Sequence, residues 1–563
     1  MFRLLLNFLI LCFFTCLFSA CNERAKYSTD PKIIAEGEVT FKTYCAACHD
    51  INTDGIGPKL NGVTKIADYK WLSDFIKNPK QMIDSEDERA KKLYEKYAAY
   101  MPEFSFLKEE QLDAVLSYID SQSNEISESS ESEVDAVVLP KTDPVIKSNI
   151  ALILEDYLTI PSSSEFPPLA RISNMRVRPG SPNGELYIND QRGYIYLVKG
   201  QVIKEFFNIR QHIQKLIESP GIGTGFGSFD FHPDFDTNKL IYTTHAEEYT
   251  GIPGKNTFND SIKIAMQWIL SEWKLTEPTP NKFQWTQREI LRVNFPTHFH
   301  GFQDLRFVPD IPKDHPDYGL LYLGIGEGGA VVKKLTDLLL NIESPLGTII
   351  RIDPGGTDSY NGQYGIPLSN PFSSSSEKEV WKEIWAYGFR NPHRLEWTTQ
   401  GDMLVADIGQ HSLEELNLVK PGKNYGWYKR EGNHQIDPSY ILSAFPTDNY
   451  GEQYELPLAQ YDHYDGSAVI GGYEYSGSIS QLKGKYIFGD IGSGKIFYIP
   501  VPFEKDALNT IYGLQIMYND SITTMQKIVG NDRVDLRFGK DQNQNLYIIS
   551  RTNGKIWLVK GVE

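Results

Sequence analysis

One short pattern recurs along the chain from residue 183 to residue 549: a turn rich in Gly, Asn or Asp, then a strand of large apolar and aromatic residues. It reads Asn183-Gly184-Glu185-Leu186-Tyr187-Ile188, then Asn238-Lys239-Leu240-Ile241-Tyr242, then Tyr318-Gly319-Leu320-Leu321-Tyr322-Leu323. It returns as Gly401-Asp402-Met403-Leu404-Val405-Ala406-Asp407, Gly484-Lys485-Tyr486-Ile487-Phe488-Gly489-Asp490 and Asn545-Leu546-Tyr547-Ile548-Ile549. Such a unit cannot bury its apolar face alone, so like units must pack against one another. Six occurrences over this length predict an all-β domain at 150–563, a six-bladed β-propeller of four-stranded blades with insertions between some of them. A large sandwich or barrel is the competing architecture, and spaced repeats fit it less well. Helical periodicity is rare here, with 206–217 and 331–340 as candidates for short helices.

The N-terminus has a different character. Met1-Phe2-Arg3 precedes an apolar run from Leu4 to Phe18, broken only by Asn7 and Thr15. One positive charge before a short apolar core reads as a secretory signal peptide over 1–20. A membrane-spanning helix competes, but the run turns polar after Cys21 and is marginal for crossing a bilayer. Leu17-Phe18-Ser19-Ala20-Cys21 resembles a lipobox, which implies lipidation of Cys21; cleavage after Ala20 without lipid is the alternative. The expected location is lipid-anchored, on the periplasmic side of a bacterial membrane or at the cell surface.

The five cysteines then sort without remainder. Cys12 and Cys16 leave with the signal, and Cys21 takes the lipid. Cys45 and Cys48 stand in Cys45-Ala46-Ala47-Cys48-His49, the spacing at which two thiols add across the haem vinyl groups and the next imidazole reaches the iron. A zinc site needs two further soft ligands nearby, and a thioredoxin-like pair needs a βαβ context; neither is in the sequence. Met101, fixed in direction by Pro102, is the candidate sixth ligand; Met82 lies in a plausible helix end and reads as packing. Helices are expected before the haem motif (33–47) and after Met101 (108–121), the latter from Leu112, Val115, Leu116 and Ile119 at helical spacing. Residues 32–122 resemble a small class I cytochrome c. In that family these two helices cross, with an aromatic such as Tyr118 or Phe41 near the contact. The resemblance implies an all-α domain carrying haem c with His/Met ligation, which suits one-electron transfer.

Between the domains, 123–149 begins with an acidic, Ser-rich stretch almost free of large apolar groups, a composition that cannot bury a core. About 20 such residues span on the order of 25 Å r.m.s., so the haem domain could dock on the large domain or swing away from it. The formal net charge of −17 argues against a nucleic-acid partner.

The large domain resembles the soluble quinoprotein glucose/sorbosone dehydrogenases. The residues that carry this are Gly227-Ser228-Phe229-Asp230-Phe231-His232-Pro233-Asp234-Phe235, Leu305-Arg306-Phe307-Val308-Pro309-Asp310 and Leu346-Gly347-Thr348-Ile349-Ile350-Arg351-Ile352-Asp353-Pro354. The most specific is Ile384-Trp385-Ala386-Tyr387-Gly388-Phe389-Arg390-Asn391-Pro392. Ala406-Asp407-Ile408-Gly409-Gln410, Asn424-Tyr425-Gly426-Trp427 and Gly471-Gly472-Tyr473 continue it over roughly 165–560. The resemblance implies pyrroloquinoline quinone (PQQ) and calcium on the propeller axis, and oxidation of an aldose or related alcohol. His300 then matches the general base, with His298 as the alternative. Arg390 and Asn391 match the pair that holds the quinone oxygens, and the backbone carbonyls of Gly409 and Gln410 match calcium ligands. Electrons would leave through the fused haem to a downstream redox protein.

Two departures stand out. Ser476 in Tyr473-Glu474-Tyr475-Ser476-Gly477 occupies a position where the family often has a basic residue that pairs with a cofactor carboxylate. Lys495 is the expected substitute, with Arg533 or Arg551 as others. Glu327 stands where Asp is usual. Gly324-Ile325-Gly326-Glu327-Gly328-Gly329 mimics a dinucleotide fingerprint, but the flanking strands are not βαβ. The alternative function is a haem electron carrier whose propeller binds glycan or a partner without chemistry, and Ser476 leans that way.

Overall fold

The computed structural model of the chain describes residues 27–45, 49, 51–52, 57–85, 87–97, 101, 104, 107–123, 142–165, 167–181, 184–218, 223–276, 283–410, 412–436 and 453–563. The signal segment, Cys12, Cys16, Cys21, Cys48 and most of the acidic linker lie outside these residues.

The N-terminal unit is helical. Asp30 caps the helix Pro31–Tyr44 by accepting from the Lys32 N–H, and Pro31 supplies a pre-set first turn. This helix crosses Glu109–Ser121 so closely that a Cβ on Gly37 would lie 1.9 Å from the Ala114 carbonyl oxygen. Phe41 and Tyr118 meet beside that crossing, ring centres 5.3 Å apart. Phe41, Leu72, Val115, Leu116 and Ile119 form the core under it. The contact is therefore the one the cytochrome c resemblance implies.

The large domain is a β-propeller-like array. Four separate four-stranded antiparallel sheets span 172–208, 226–295, 302–387 and 392–462. The six separate sheets expected from the repeats are not found, because the remaining strands join into one nine-stranded sheet. The cause is the strand Ile146–Thr159, which lies antiparallel to the last strand, Lys555–Val562, and parallel to Tyr512–Tyr518. Each recurrent pattern is the second strand of its unit: Glu185–Asp190, Leu240–Glu247, Leu321–Ile325, Met403–Asp407, Lys485–Asp490 and Leu546–Ser550. The strands inside them touch in a closed circle: Ile172–Arg176, Phe226–Phe231, Phe302–Phe307, Pro392–Trp397, Val469–Glu474, Leu536–Lys540 and back to the first.

Neighbouring sheets bury large side chains against one another. Phe207, Phe226, Trp273 and Trp285 pack between the first two, and Trp268, Phe302, Leu305 and Leu323 between the next two. Each such side chain contributes roughly 1.5–3 kcal/mol by leaving water. The expected helices over 206–217 and 331–340 are not formed: only the 3-10 turns Ile209–Gln211 and Thr336–Leu338 occur there. Phe206 and Phe207 belong to the strand Val202–Asn208. Phe206 packs on Tyr187 and Phe231, whereas Phe207 packs on Phe226 and Trp273. Both rings also meet Trp285, and a bulge between the pairs Ile195–Phe207 and Tyr196–Glu205 lets the two consecutive rings enter the same core.

The first residues of the inner strands lie beside the last residues of the second strands, as in Ile172 opposite Asp190, Pro392 opposite Asp407 and Leu536 opposite Ser550. This end of the axis is the mouth. Below it the channel is filled by buried charges: Arg176 donates to Asp304 at 2.8 Å, Arg306 to Glu396 at 2.9 Å, and Arg394 lies 3.5 Å from Asp304.

Candidate functional site

In the helical unit, His49 Nδ1 lies 2.8 Å from the Pro58 carbonyl oxygen. A carbonyl only accepts, so Nδ1 carries the proton and Nε2 keeps the lone pair that an iron ligand needs. Burial lowers the His49 pKa, favouring the neutral ring. A Cβ on Gly57 would sit 2.4 Å from His49 Cε1, so only glycine lets this loop lie against the imidazole. Met101 packs in a small apolar cluster with Tyr44, Ile76, Phe104, Leu107 and Leu112. Cys45 caps the end of the first helix, where a haem thioether would form. These residues fit a covalently bound haem.

At the propeller mouth, His300 stands two residues before the third inner strand and holds φ at +47°. A non-glycine residue in this left-handed region costs roughly 1–2 kcal/mol. Two close backbone approaches keep it there: Cβ atoms on Gly223 and Gly326 would fall 2.6 Å from His300 N and 2.3 Å from its carbonyl oxygen. The ring is aimed at Glu327, with Nδ1 2.7 Å from Oε1. Glu327 also accepts from the Gly329 and Val331 N–H groups. Its burial disfavours the charged form, but His300, Arg390 and the Val331 N–H outweigh this and lower its pKa. Glu327 is thus a carboxylate, His300 donates to it through Nδ1, and Nε2 stays a free base. Burial and the Arg390 charge lower the His300 pKa, against the opposing pull of Glu327.

Arg390 adjoins this pair: its carbonyl accepts from the Glu327 N–H at 2.8 Å. Its guanidinium Nη1 donates to the Ile408 and Gly409 carbonyls at 3.0 and 2.7 Å, while Nε is buried without a partner. Asn391 Oδ1, His393 Nδ1, Gln410 Oε1, Arg537 Nε and Arg551 Nε are likewise buried and unpartnered. Leaving such groups unpaired costs on the order of 1–3 kcal/mol each, so this end of the axis is built for a polar occupant. The Ile408 and Gly409 carbonyls converge on one cationic nitrogen, the oxygen chemistry a hard cation uses.

Asp407 holds the local backbone, accepting from the Arg390 N–H at 3.0 Å and the Asn391 N–H at 2.6 Å. Directly across the ladder stands Glu415. Burial, then the Glu415 charge, pushes Asp407 well above the ordinary carboxylate range, and burial pushes Glu415 to about 7.

His300, Arg390, Asn391, Gly409 and Gln410 are therefore drawn to one place. Lys495 is not among them: it lies in the turn after Lys485–Asp490, about half exposed, 3.7 Å from Asp465. The expectation for Ser476 is corrected as well. It follows the far end of Val469–Glu474, away from the mouth, and donates to Gln544. Sequence reasoning took Glu327 as a defect and missed it as the partner of His300. It also passed over His393 and Arg537, which carry no motif of their own. Two surface cavities of about 320 and 290 Å³ are lined around Trp385 and Trp397, and around Lys255 and Trp381; neither includes His300 or Arg390.

Among known proteins, the family model described as Glucose / Sorbosone dehydrogenase matches residues 179–511, and that for Cytochrome c matches 34–123. The HIPL1 protein of Arabidopsis thaliana is 25% identical over 388 residues, 60% of this chain and 53% of that protein. The quinoprotein glucose dehydrogenase B of Acinetobacter calcoaceticus is 34% identical over 237 residues, 39% of this chain and 43% of its own length. The chain thus spans about half the length of these curated relatives. The solved apo-form of the soluble aldose sugar dehydrogenase of Escherichia coli shares the fold, with a TM-score of 0.51 and 17% identity over 73% of this chain and 98% of that one.

Proposed function

The chain belongs to the glucose/sorbosone dehydrogenase family and carries a cytochrome c domain ahead of it. On that premise we propose that it is a quinohaemoprotein oxidoreductase, exported and lipid-anchored through Cys21. It oxidises an aldose or related alcohol at the propeller mouth and passes the electrons to its own haem c. We read the nine-stranded sheet as two blades joined edge to edge by Ile146–Thr159, which makes the closed circle of inner strands six blades.

The observation that carries this reading is the His300–Glu327 pair, 2.7 Å apart, beside Arg390 and its unpartnered neighbours. A bound PQQ would supply a two-electron acceptor for the hydride of the sugar carbon; the Acinetobacter relative is named a quinoprotein glucose dehydrogenase. The chain's own part is proton handling and orientation. His300 Nε2 takes the hydroxyl proton, Glu327 fixes the tautomer that leaves Nε2 free, and Arg390 and Asn391 offer a cation and an amide to an electron-rich oxygen. Calcium, expected at the Gly409 and Gln410 carbonyls, would take the Gly409 carbonyl from Arg390 Nη1 and so release that guanidinium toward the quinone. The non-catalytic alternative drew on Ser476, and that residue's place at the opposite end removes its support.

The test uses purified full-length chain supplied with PQQ and calcium. Aldoses are added while reduction of the haem and of an external dye is followed. Reduction of both, lost in His300→Ala with the haem spectrum unchanged, is the expected result. A haem and a dye that stay oxidised with every aldose and simple alcohol would overturn the reading.

A further inference from the structure

The loop after Met403–Asp407 turns back on itself before Leu413–Val419 begins. A Cβ on Gly409 would lie 1.7 Å from the Leu413 carbonyl oxygen and 3.3 Å from Glu431 Cδ, so only glycine lets the loop fold this tightly over that carboxyl. Glu431 gathers the loop's amides. Its Oε2 accepts from the Gln410 N–H at 2.8 Å, and its Oε1 from the Ser412 and Leu413 N–H groups at 2.7 and 2.9 Å. Three donors on one buried carboxyl group call for its ionised form, which accepts on both oxygens. A short hairpin carries it there: Arg430–Glu431 pairs with His434–Gln435 around Gly432 at φ +60°. The Gly432 N–H donates to Glu415, and the Asn433 N–H to Gln460 Oε1 at 2.9 Å, which ties the hairpin to the third and outer strands of the fourth sheet. The sheet, not a ligand, thus sets the place of this carboxyl.

The Gln410 N–H and the Gly409 carbonyl belong to one peptide group. An amide that gives its hydrogen to a negative charge at one end becomes a stronger acceptor at the other. The Gly409 oxygen is that other end, and Arg390 Nη1 donates to it at 2.7 Å. Glu414 acts on the preceding peptide. Its Oε2 accepts from the Gly409 N–H at 3.3 Å, and that peptide's oxygen, on Ile408, accepts from the same Nη1 at 3.0 Å. The shorter pair of contacts is the one that runs through Glu431.

We propose that Glu431 is a positioning residue of the cation site: it orients and strengthens the Gly409 carbonyl and so sets how tightly the mouth holds calcium. This rests on the redox reading above, in which that carbonyl is a calcium ligand. Calcium takes oxygen ligands, and the charge around them tunes its affinity. Glu431 supplies a full negative charge one peptide group away without touching the ion. Replacing such an outer partner costs about 10–100-fold in metal affinity.

The test uses the full-length chain supplied with PQQ, after a chelator has removed calcium. Calorimetric titration with calcium alone gives the affinity, and dye turnover with an aldose is followed over the same calcium range. Glu431→Gln keeps the size of the side chain and removes its charge. Its calcium affinity should fall about tenfold or more. Dye turnover at saturating calcium should return to within about twofold of the parent, as loss of binding without loss of chemistry requires. Glu431→Asp keeps the charge but draws it back by one methylene; its affinity should fall between, and it serves alone if Glu431→Gln does not fold. Calcium affinity unchanged in the variants overturns the assignment. Turnover that no calcium concentration restores overturns it too, because Glu431 then only holds the fold. A parent chain that binds no calcium overturns the calcium site of the redox reading, and this inference with it.

Discussion

His300 is held as a neutral imidazole at neutral pH, because burial and the nearby Arg390 disfavour its cation more than Glu327 favours it. A base of this kind is lost when pH falls through its pKa, so kcat should drop on the acid side with a midpoint below the ordinary 6.5. Glu327→Gln removes the group that raises this pKa. The midpoint of the kcat profile should move lower still, and kcat should fall about tenfold as the tautomer is released. His300→Ala should cost on the order of 10²–10⁴ in kcat, with the haem spectrum as the control. At the other redox centre, Met101→Ala should keep the covalent haem but lose the thioether band and lower the potential, read by redox titration. A Met101→Ala protein with unchanged spectrum would show that another residue is the sixth ligand.

Among the elements, the ladder between Met403–Asp407 and Leu413–Val419 carries the sharpest tension. It opposes two buried carboxyls, Asp407 and Glu415, just beneath Arg390 and Asn391. Glu415 is raised from 4.5 to about 7, so the folded chain binds more protons than the unfolded chain between those values. Stability therefore falls as pH rises through that window, the reverse of an ion-paired carboxylate. Glu415→Gln should flatten this loss, measured as the midpoint of urea unfolding from about pH 4.5 to 7. The neighbouring Asn417 Oδ1, now buried without a partner, can accept from the new amide. This element also shows how far sequence reaches. The apolar run Met403-Leu404-Val405-Ala406 after the Gly401-Asp402 turn announces the strand, but only pairing sets Asp407 opposite Glu415. At Phe206-Phe207 the sequence misleads, because an aromatic pair followed by polar residues also suits a helix. Packing against two neighbouring strands decides otherwise.

For the whole molecule, the strand Ile146–Thr159 is the closure. It begins inside the expected linker 123–149, at Ile146, yet pairs with both Tyr512–Tyr518 and the C-terminal Lys555–Val562. Leu152, fully buried in it, belongs to the core shared by the last units. Leu152→Ala should cost about 2–5 kcal/mol in chemical unfolding, with both domains' probes showing whether the haem unit melts separately. The haem motif and the recurrent strands were legible along the chain, because each is written in contiguous residues whose local chemistry or periodicity admits few alternatives; the helix crossing and the cluster around Arg390 were given only by resemblance to known families. Tertiary structure alone brought Glu327 to His300, sent Ser476 to the far end of its strand and Lys495 to Asp465, and fused the last sheets through a strand from the other end of the domain. These are contacts between residues distant in sequence, and their energies depend on a register and closure that no local pattern encodes.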